Sequence, residues 1–527
     1  MEPSPPLRNP PVTHVKKKSF LKRHGVDRYE ISKKLSRREN TVLYLFGTLI
    51  FYIALAMIIP LIASYIYHES HRPWIISISI CIILSIPLLL RFKAAEHTRS
   101  TETLFVITTS WVLITLVGSV PFILSGMSGI DAIFETMSGF TTTGSTIMGG
   151  GTVAPIEEWS KSLLLWRSMT QWLGGAGIIM IFVTILPMLG ATGRSLVTLE
   201  LAGTDTQNIT QRMQEESRKF HYIYISLTLL MFILLIIAGV GVYDSINLAF
   251  TSLSTGGFTP YSDSIAHFNS SVVQWIVIIF MFLGGTNFFL QFRALKKGGL
   301  KVFTKNSEFR AYVLIVILAS ALLFIFLSPE LLGMSVFEQV TASVFHIVSC
   351  MTTTGYTTVN LAGVGSIVAM ILMVVMIIGA SSGSTSGSIK VVRFVILQKF
   401  ISATLYRTIH PKAVVPIKIN EKTIEEKTVT SLMALLVCYF GTALVCIFLL
   451  MLLGVDTMGA IDATIASVSN AGVGLGSVSS SFGGLPDLAK LVLTFAMWAG
   501  RLEFISVFVI LSPVFWREFL RFRKRYS

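Results

Sequence analysis

The chain has 527 residues, of which 53% are hydrophobic and only 13% charged, with a formal net charge of +14. Soluble globular proteins carry about 25% charged residues, so this composition excludes one and points to a polytopic membrane protein. The positive residues lie in tails and short loops between apolar runs, a distribution that membrane topology explains and nucleic-acid binding does not.

Residues 1–40 read as a solvated basic tail, densest at Lys16-Lys17-Lys18 and Lys33-Lys34, held near anionic lipid. Apolar runs at 41–67 and 73–90 form a two-helix preface within 41–93. Four segments then share one plan: 94–195, 196–300, 301–400 and 401–515, followed by a basic tail at 516–527. Each has a long apolar run, a half-length segment, a Thr/Gly stretch and a second apolar run. The opening runs are 104–124, 222–242, 312–327 and 429–453, and the closing runs are 162–189, 272–290, 367–378 and 488–511. The half-length segments are 131–140, 244–252, 337–350 and 460–469. Crossing a bilayer core of about 30 Å takes roughly 20 residues, so these four enter the membrane and stop. The expected fold class is therefore all-α and integral to the membrane, with four pseudo-fourfold helix–loop–helix repeats, a preface and ten crossings.

The Thr/Gly stretch is written four times. It reads Phe140-Thr141-Thr142-Thr143-Gly144-Ser145, then Ser252-Leu253-Ser254-Thr255-Gly256-Gly257-Phe258, then Met351-Thr352-Thr353-Thr354-Gly355-Tyr356. The fourth version, Ser469-Asn470-Ala471-Gly472-Val473-Gly474, is degraded. Aligned on Gly144, Gly256, Gly355 and Gly472, the copies recur at roughly one hundred residues, a domain-sized duplication and not a solenoid. Thr and Gly make a backbone that can extend and present its carbonyls. Four such loops about one axis would replace the hydration shell of a monovalent cation with peptide oxygens. The expected ligand set is Thr142, Thr143, Gly144, Thr255, Gly256, Thr353, Thr354, Gly355, Asn470, Ala471 and Gly472.

Charge sets an orientation. With a cytoplasmic N-terminus, the inner segments hold Arg91, Lys93, Arg194, Arg218, Arg293, Lys297, Arg310, Lys390, Arg393, Arg407 and the C-terminal tail. The outer segments hold little besides Arg72, Lys161 and Lys490, so both termini are expected inside and the Thr/Gly stretches outside. Acids at Asp131, Asp244, Glu338 and Asp462 suit half-helix starts, with Arg167 available to pair with one of them. His346 reads as packed and hydrogen-bonded. The four cysteines, Cys81, Cys350, Cys438 and Cys446, sit in apolar runs without zinc spacing.

Two further features stand below the stretches. Residues 378–389 run through Gly383, Ser384, Thr385, Ser386 and Gly387 with almost no bulk, which fits either a tight helix crossing or, preferred here, a flexible loop. Arg501 lies mid-span, where a charge is expensive and marks function. Glu503, two residues on, cannot face it on a helix. Arg501 is expected to face the path as a barrier to cations, and Lys390 and Arg393 to act as boundary anchors. No Walker loop, HExxH or nucleophile elbow points to an enzyme.

Together the stretches and their flanks resemble the Trk/Ktr/HKT superfamily of potassium transporters over about residues 40–515, and within it the membrane subunit of Trk-type uptake systems. The motifs that carry the resemblance are Asp131 to Gly144, Gln171-Trp172-Leu173-Gly174-Gly175, 349–358, 383–390 and Arg501-Leu502-Glu503. The resemblance implies a potassium-selective pathway in a bacterial inner membrane, a homodimer with one pore per subunit, and a cytoplasmic nucleotide-binding (RCK-type) regulatory ring. It implies potassium in the filter and no organic cofactor. It also implies that 378–389 is an intramembrane gate and Arg501 a constriction. In the plant branch, Ser at the first filter glycine accompanies sodium preference; Gly144 stands there here, which favours potassium. The family pattern has proline where this chain has Val473, which leaves fine selectivity open. A sodium- or proton-coupled symporter and a less selective cation channel are the alternatives.

Overall fold

In the computed structural model, the described residues are 28–93, 100–185, 209–327, 333–420 and 422–526. The Lys16–Lys18 cluster, Arg194 and the boundary at 195/196 lie outside them. Helix dominates, with one short antiparallel hairpin pairing Lys418–Ile419 with Lys422–Thr423. The first helix, Arg28–Ala56, begins inside the segment expected as a tail.

One preface helix shows burial inverted relative to a soluble protein. In Arg72–Arg91 the buried positions are Trp74, Ser77, Cys81 and Ser85, spaced three and four apart on one face. Ile76, Ile83, Leu84 and Leu90 are exposed. Small and polar side chains face the protein while isoleucine and leucine face outward, as expected where the solvent is hydrocarbon. Six described helices are long and apolar enough to cross a membrane, and two bent helix pairs would raise that to eight. Of the runs expected to cross, Lys161–Ile185 and the 13-residue Ser366–Ile378 are not among these.

Four half-length helices are present: Gly129–Phe140, Val242–Leu253, Val336–Met351 and Thr457–Val468. Three start on side-chain caps, from Ser128, from Ser335 in a capping box with Glu338, and from Asp456. Each packs on the long helix before it and also on the closing helix of the preceding segment. Lys161–Ile185 lies on Val242–Leu253, Ser271–Gly284 on Val336–Met351, Ser366–Ile378 on Thr457–Val468, and Asp487–Arg501 returns to Gly129–Phe140. The packing order is thus closed on itself. A buried ion pair seals the last junction, with Lys490 Nζ 2.6 Å from Asp131 Oδ1. Lys490, counted among the outer-side charges, is buried.

The preface docks on the first segment. Glu69 accepts the N–H groups of Lys161 and Ser162 at 2.6 and 3.0 Å, capping that helix from a different element. Trp74 donates to Ser162 Oγ and meets Trp166 edge-on.

The closing helices differ. Lys161–Ile185 continues unbroken through Gly174 and Gly175, and a β-carbon at Gly174 would overlap the Phe140 carbonyl, so this glycine serves close approach. Ser271–Gly284 bends 97° into the next helix, and Asp487–Arg501 bends 115° into Ile505–Leu511. At the second bend Glu503 and Phe504 both hold positive φ, +56° and +57°. Ser366–Ile378 ends at Gly379, φ +71°, where the Gly/Ser segment begins.

Candidate functional site

Every half-helix ends the same way. Thr142, Thr255, Thr353 and Asn470 hold φ of +53°, +52°, +57° and +53°. Their N–H groups bond to Gly139, Ser252, Cys350 and Ser467 carbonyls, and the next N–H reaches five residues back, to Ser138, Thr251, Ser349 and Ala466. This is a Schellman ending repeated four times. Such an ending normally uses glycine; Asn tolerates it, but a β-branched threonine does not do so readily. Each strained threonine costs about 1–3 kcal/mol, and such residues persist where the surroundings impose them, commonly at functional sites.

This geometry corrects the register of the second copy. The left-handed residue is Thr255, so the partner of Gly144, Gly355 and Gly472 is Gly257 and not Gly256. These four glycines also have positive φ, +88°, +83°, +91° and +65° in chain order. Gly256 stands instead with Thr143, Thr354 and Ala471.

The four stretches meet. A β-carbon at Gly144 would overlap the Gly256 carbonyl, at Gly257 the Thr354 carbonyl, at Gly355 the Ala471 carbonyl, and at Gly472 the Thr143 carbonyl. Each glycine therefore abuts the equivalent carbonyl of the next stretch, and the fourth returns to the first. Thr142, Thr143, Gly144, Thr255, Gly256, Thr353, Thr354, Gly355, Asn470, Ala471 and Gly472 all lie in this ring.

Side chains outside the ring fix it. Asn470 Nδ2 donates to Thr143 Oγ1 at 2.9 Å, joining the fourth stretch to the first. Gln171 donates to the Gly256 carbonyl at 2.7 Å and accepts from Phe258 N–H at 3.0 Å. Tyr356 Oη lies 2.5 Å from Thr251 Oγ1, tying the third stretch to the second half-helix. Buried Arg167 pairs with buried Glu135 at 2.6 Å, donates to the Thr259 carbonyl and stacks on Phe258. Glu135 also accepts from Ile147 N–H and Thr146 Oγ1. Arg167 thus takes none of the four acids expected of it: Asp131 is held by Lys490, and Glu135 faces inward beside its own stretch. His346, in the place of Glu135 on the third half-helix, has Nδ1 2.7 Å from the Ala342 carbonyl and accepts at Nε2 from Thr358 N–H at 3.4 Å.

Beyond the bundle, Glu157 accepts from the N–H and hydroxyl of Ser262. Burial would raise its carboxyl, and the Ser262 bonds outweigh that and hold it below the usual range.

The Gly/Ser segment lies against the ring. Thr385 Oγ1 donates to the Leu253 carbonyl at 3.0 Å and sits 3.2 Å from Thr255 Oγ1. Gly387 N–H donates to Thr353 Oγ1 at 2.9 Å, and a β-carbon at Gly387 would press on Ser469 and Asn470. The bend after Gly284 frees helix carbonyls, and the segment fills them: Ser381 donates to Gly285 and Thr385 to Gly284. Ser384 bonds Ser386 at 2.7 Å, and Gly383, φ +69°, lies against Asn287. It is a loop and not a helix crossing.

Arg501 is 2% exposed and donates from Nη1 to the Thr385 carbonyl at 2.9 Å. Glu503 does not meet it; that carboxylate binds Lys390 at 3.3 Å and Arg393 at 2.6 Å. Lys390 and Arg393, expected as boundary anchors, are buried beside that carboxylate. The last bend thus grips the loop at its middle through Arg501 and at its end through Glu503. In the sequence, Glu135 and Gln171 are visible only as members of motifs and Lys490 only as an outer-side charge; their partners become evident once the fold brings Glu135 to Arg167, Gln171 to the Gly256 carbonyl and Lys490 to Asp131.

Comparison with known proteins agrees with this architecture. The family model described as TrkH, cation transport protein, matches residues 70–517. The Trk system potassium uptake protein TrkH of Vibrio parahaemolyticus is 31% identical over 91% of this chain and 99% of its own. The TrkH of Escherichia coli K12 is 31% identical over 90% and 98%. The crystal structure of the potassium transporter TrkH from V. parahaemolyticus superposes with a TM-score of 0.82, at 30% identity, over 91% of this chain and all of that one. The chain belongs to the TrkH family of cation transport proteins.

Proposed function

We propose that this protein takes up potassium across a bacterial inner membrane through a path on the axis of the four-stretch ring. The observation that carries the reading is the cyclic abutment of glycine on carbonyl, which gathers backbone oxygens of Thr143, Gly256, Thr354 and Ala471 around one centre. Four half-helix C-termini end at that centre, each contributing roughly half a negative elementary charge. Peptide oxygens and helix ends together favour a desolvated monovalent cation without any acidic side chain. The relatives' names as potassium uptake proteins support potassium as the ion.

The Gly/Ser loop, through Gly383, Ser384, Thr385, Ser386 and Gly387, is the gate, and Arg501 is the constriction beneath the ring. Ten crossings with both termini cytoplasmic place the ring toward the outside. The full assembly is a homodimer in lipid carrying a cytoplasmic nucleotide-binding ring.

The test is the reversal potential of purified protein in planar bilayers under opposed potassium and sodium gradients. A reversal near the potassium equilibrium potential supports the reading; one near zero contradicts selectivity. A shift on imposing a proton or sodium gradient at fixed potassium contradicts a passive path and supports coupled transport.

A further inference from the structure

The ring is fourfold in position but not in hydrogen bonding. The order of abutment makes the second and fourth stretches opposite one another. Both of their ring carbonyls already accept a bond: Gly256 from Gln171 Nε2 at 2.7 Å, and Ala471 from Val473 N–H at 2.8 Å. Among the described residues, the Thr143 and Thr354 carbonyls accept none.

The bond at Ala471 is peculiar to the fourth stretch. It spans only two residues and closes through Gly472, whose φ of +65° departs from the +83° to +91° of the other three ring glycines. The residue equivalent to Val473 in the second stretch, Phe258, gives its N–H to Gln171 Oε1 instead. In the first and third stretches, among the described residues, no such backbone bond returns to the ring carbonyl. Gly474 then packs hard on the Val478 carbonyl, which holds the turned segment in place.

We propose that the main-chain N–H of Val473 is a specificity-determining group. It puts the positive end of an amide dipole on the Ala471 oxygen and so weakens that oxygen as a ligand for a monovalent cation. The ring then holds potassium less tightly and separates it from sodium less sharply than four unencumbered carbonyls would. The donor is the backbone, so the valine side chain is incidental. This inference rests on the ring being the ion path.

Val473→Pro removes the N–H, because proline has none; Val473→Ala keeps it. Rubidium uptake into liposomes is measured for both, with sodium as competitor, beside Gly355→Ser. A hydrogen bond is worth about 0.5–1.5 kcal/mol, so Val473→Pro is expected to lower the half-saturating rubidium concentration about twofold to twelvefold and to raise the sodium needed for inhibition. Val473→Ala is expected to match the parent. Where the proline variant does not fold, the α-hydroxy analogue of valine at 473, which replaces only N–H by O, is expected to give the same shift. An unchanged proline or ester variant overturns the proposal, and so does an equal shift in Val473→Ala. If Gly355→Ser alters selectivity while Val473→Pro does not, the proposal fails and the ion path stands. If neither alters it, both fail.

Discussion

Arg501 donates to the carbonyl of Thr385 at 2.9 Å, so one buried guanidinium links the last long helix to the middle of the Gly/Ser loop. Its Nε and Nη2 find no acceptor among the described residues. A cation so placed repels another cation and also steadies the loop that lies against Thr255 and Thr353.

Arg501→Ala removes both effects. Two unit charges at 4 Å interact by about 4 kcal/mol at an effective dielectric constant of 20, and recovering a third of that would raise flux about tenfold. Rubidium flux through Arg501→Ala should exceed that of the parent, with Arg501→Lys between them. Equal or lower flux in a well-folded Arg501→Ala removes the residue from the path.

Glu503 neutralises two buried cations at once. Glu503→Gln leaves Lys390 and Arg393 without their carboxylate, and removing one side of such a cluster costs about 3–5 kcal/mol. The melting temperature in detergent should fall markedly, and adding Arg393→Met should restore part of it. A melting temperature within a degree or two of the parent would mean that the cluster adds nothing to stability.

Much of this arrangement was legible in the sequence, and the reasons it was not fully so are local. The Thr/Gly spelling marked all four stretches and the half-length helices before them. The second copy, however, has two adjacent glycines, and only the left-handed Thr255 shows that Gly257 holds the place of Gly144. Arg167 could not be matched to Glu135 from spacing, because four other acids were equally available along the chain and the choice is made by which face turns inward. The bends after Gly284 and Arg501 were not legible in the sequence, because each pair of helices is apolar enough as a whole to pass for one continuous span. Val473 was visible as an oddity, but its N–H bond was not.

Glu135 and Arg167 form a buried pair that also holds Ile147, Thr146 and Thr259. Arg167→Met and Glu135→Gln should each destabilise by about 3–5 kcal/mol, since each strands a buried partner. A double-mutant cycle should show strong coupling, with the double variant less destabilised than the sum of the two. Additive effects would indicate that the two residues act separately.

Gly144 tolerates no side chain, because its φ of +88° is unfavourable for other residues and a β-carbon would strike the Gly256 carbonyl. Gly144→Ser should therefore relax potassium-over-sodium discrimination, read as a reversal potential moving toward zero. The corrected register adds that Gly257→Ser should do the same by striking the Thr354 carbonyl. Unchanged permeability ratios in both variants would argue that the ring does not select ions.

The most direct test of the central claim is rubidium uptake into liposomes holding only the purified protein, with sodium in excess outside. The account predicts saturable uptake that excess potassium abolishes and that sodium suppresses only at far higher concentration than potassium. Uptake indistinguishable from empty liposomes under all gating conditions, or equal suppression by sodium and potassium, would contradict it.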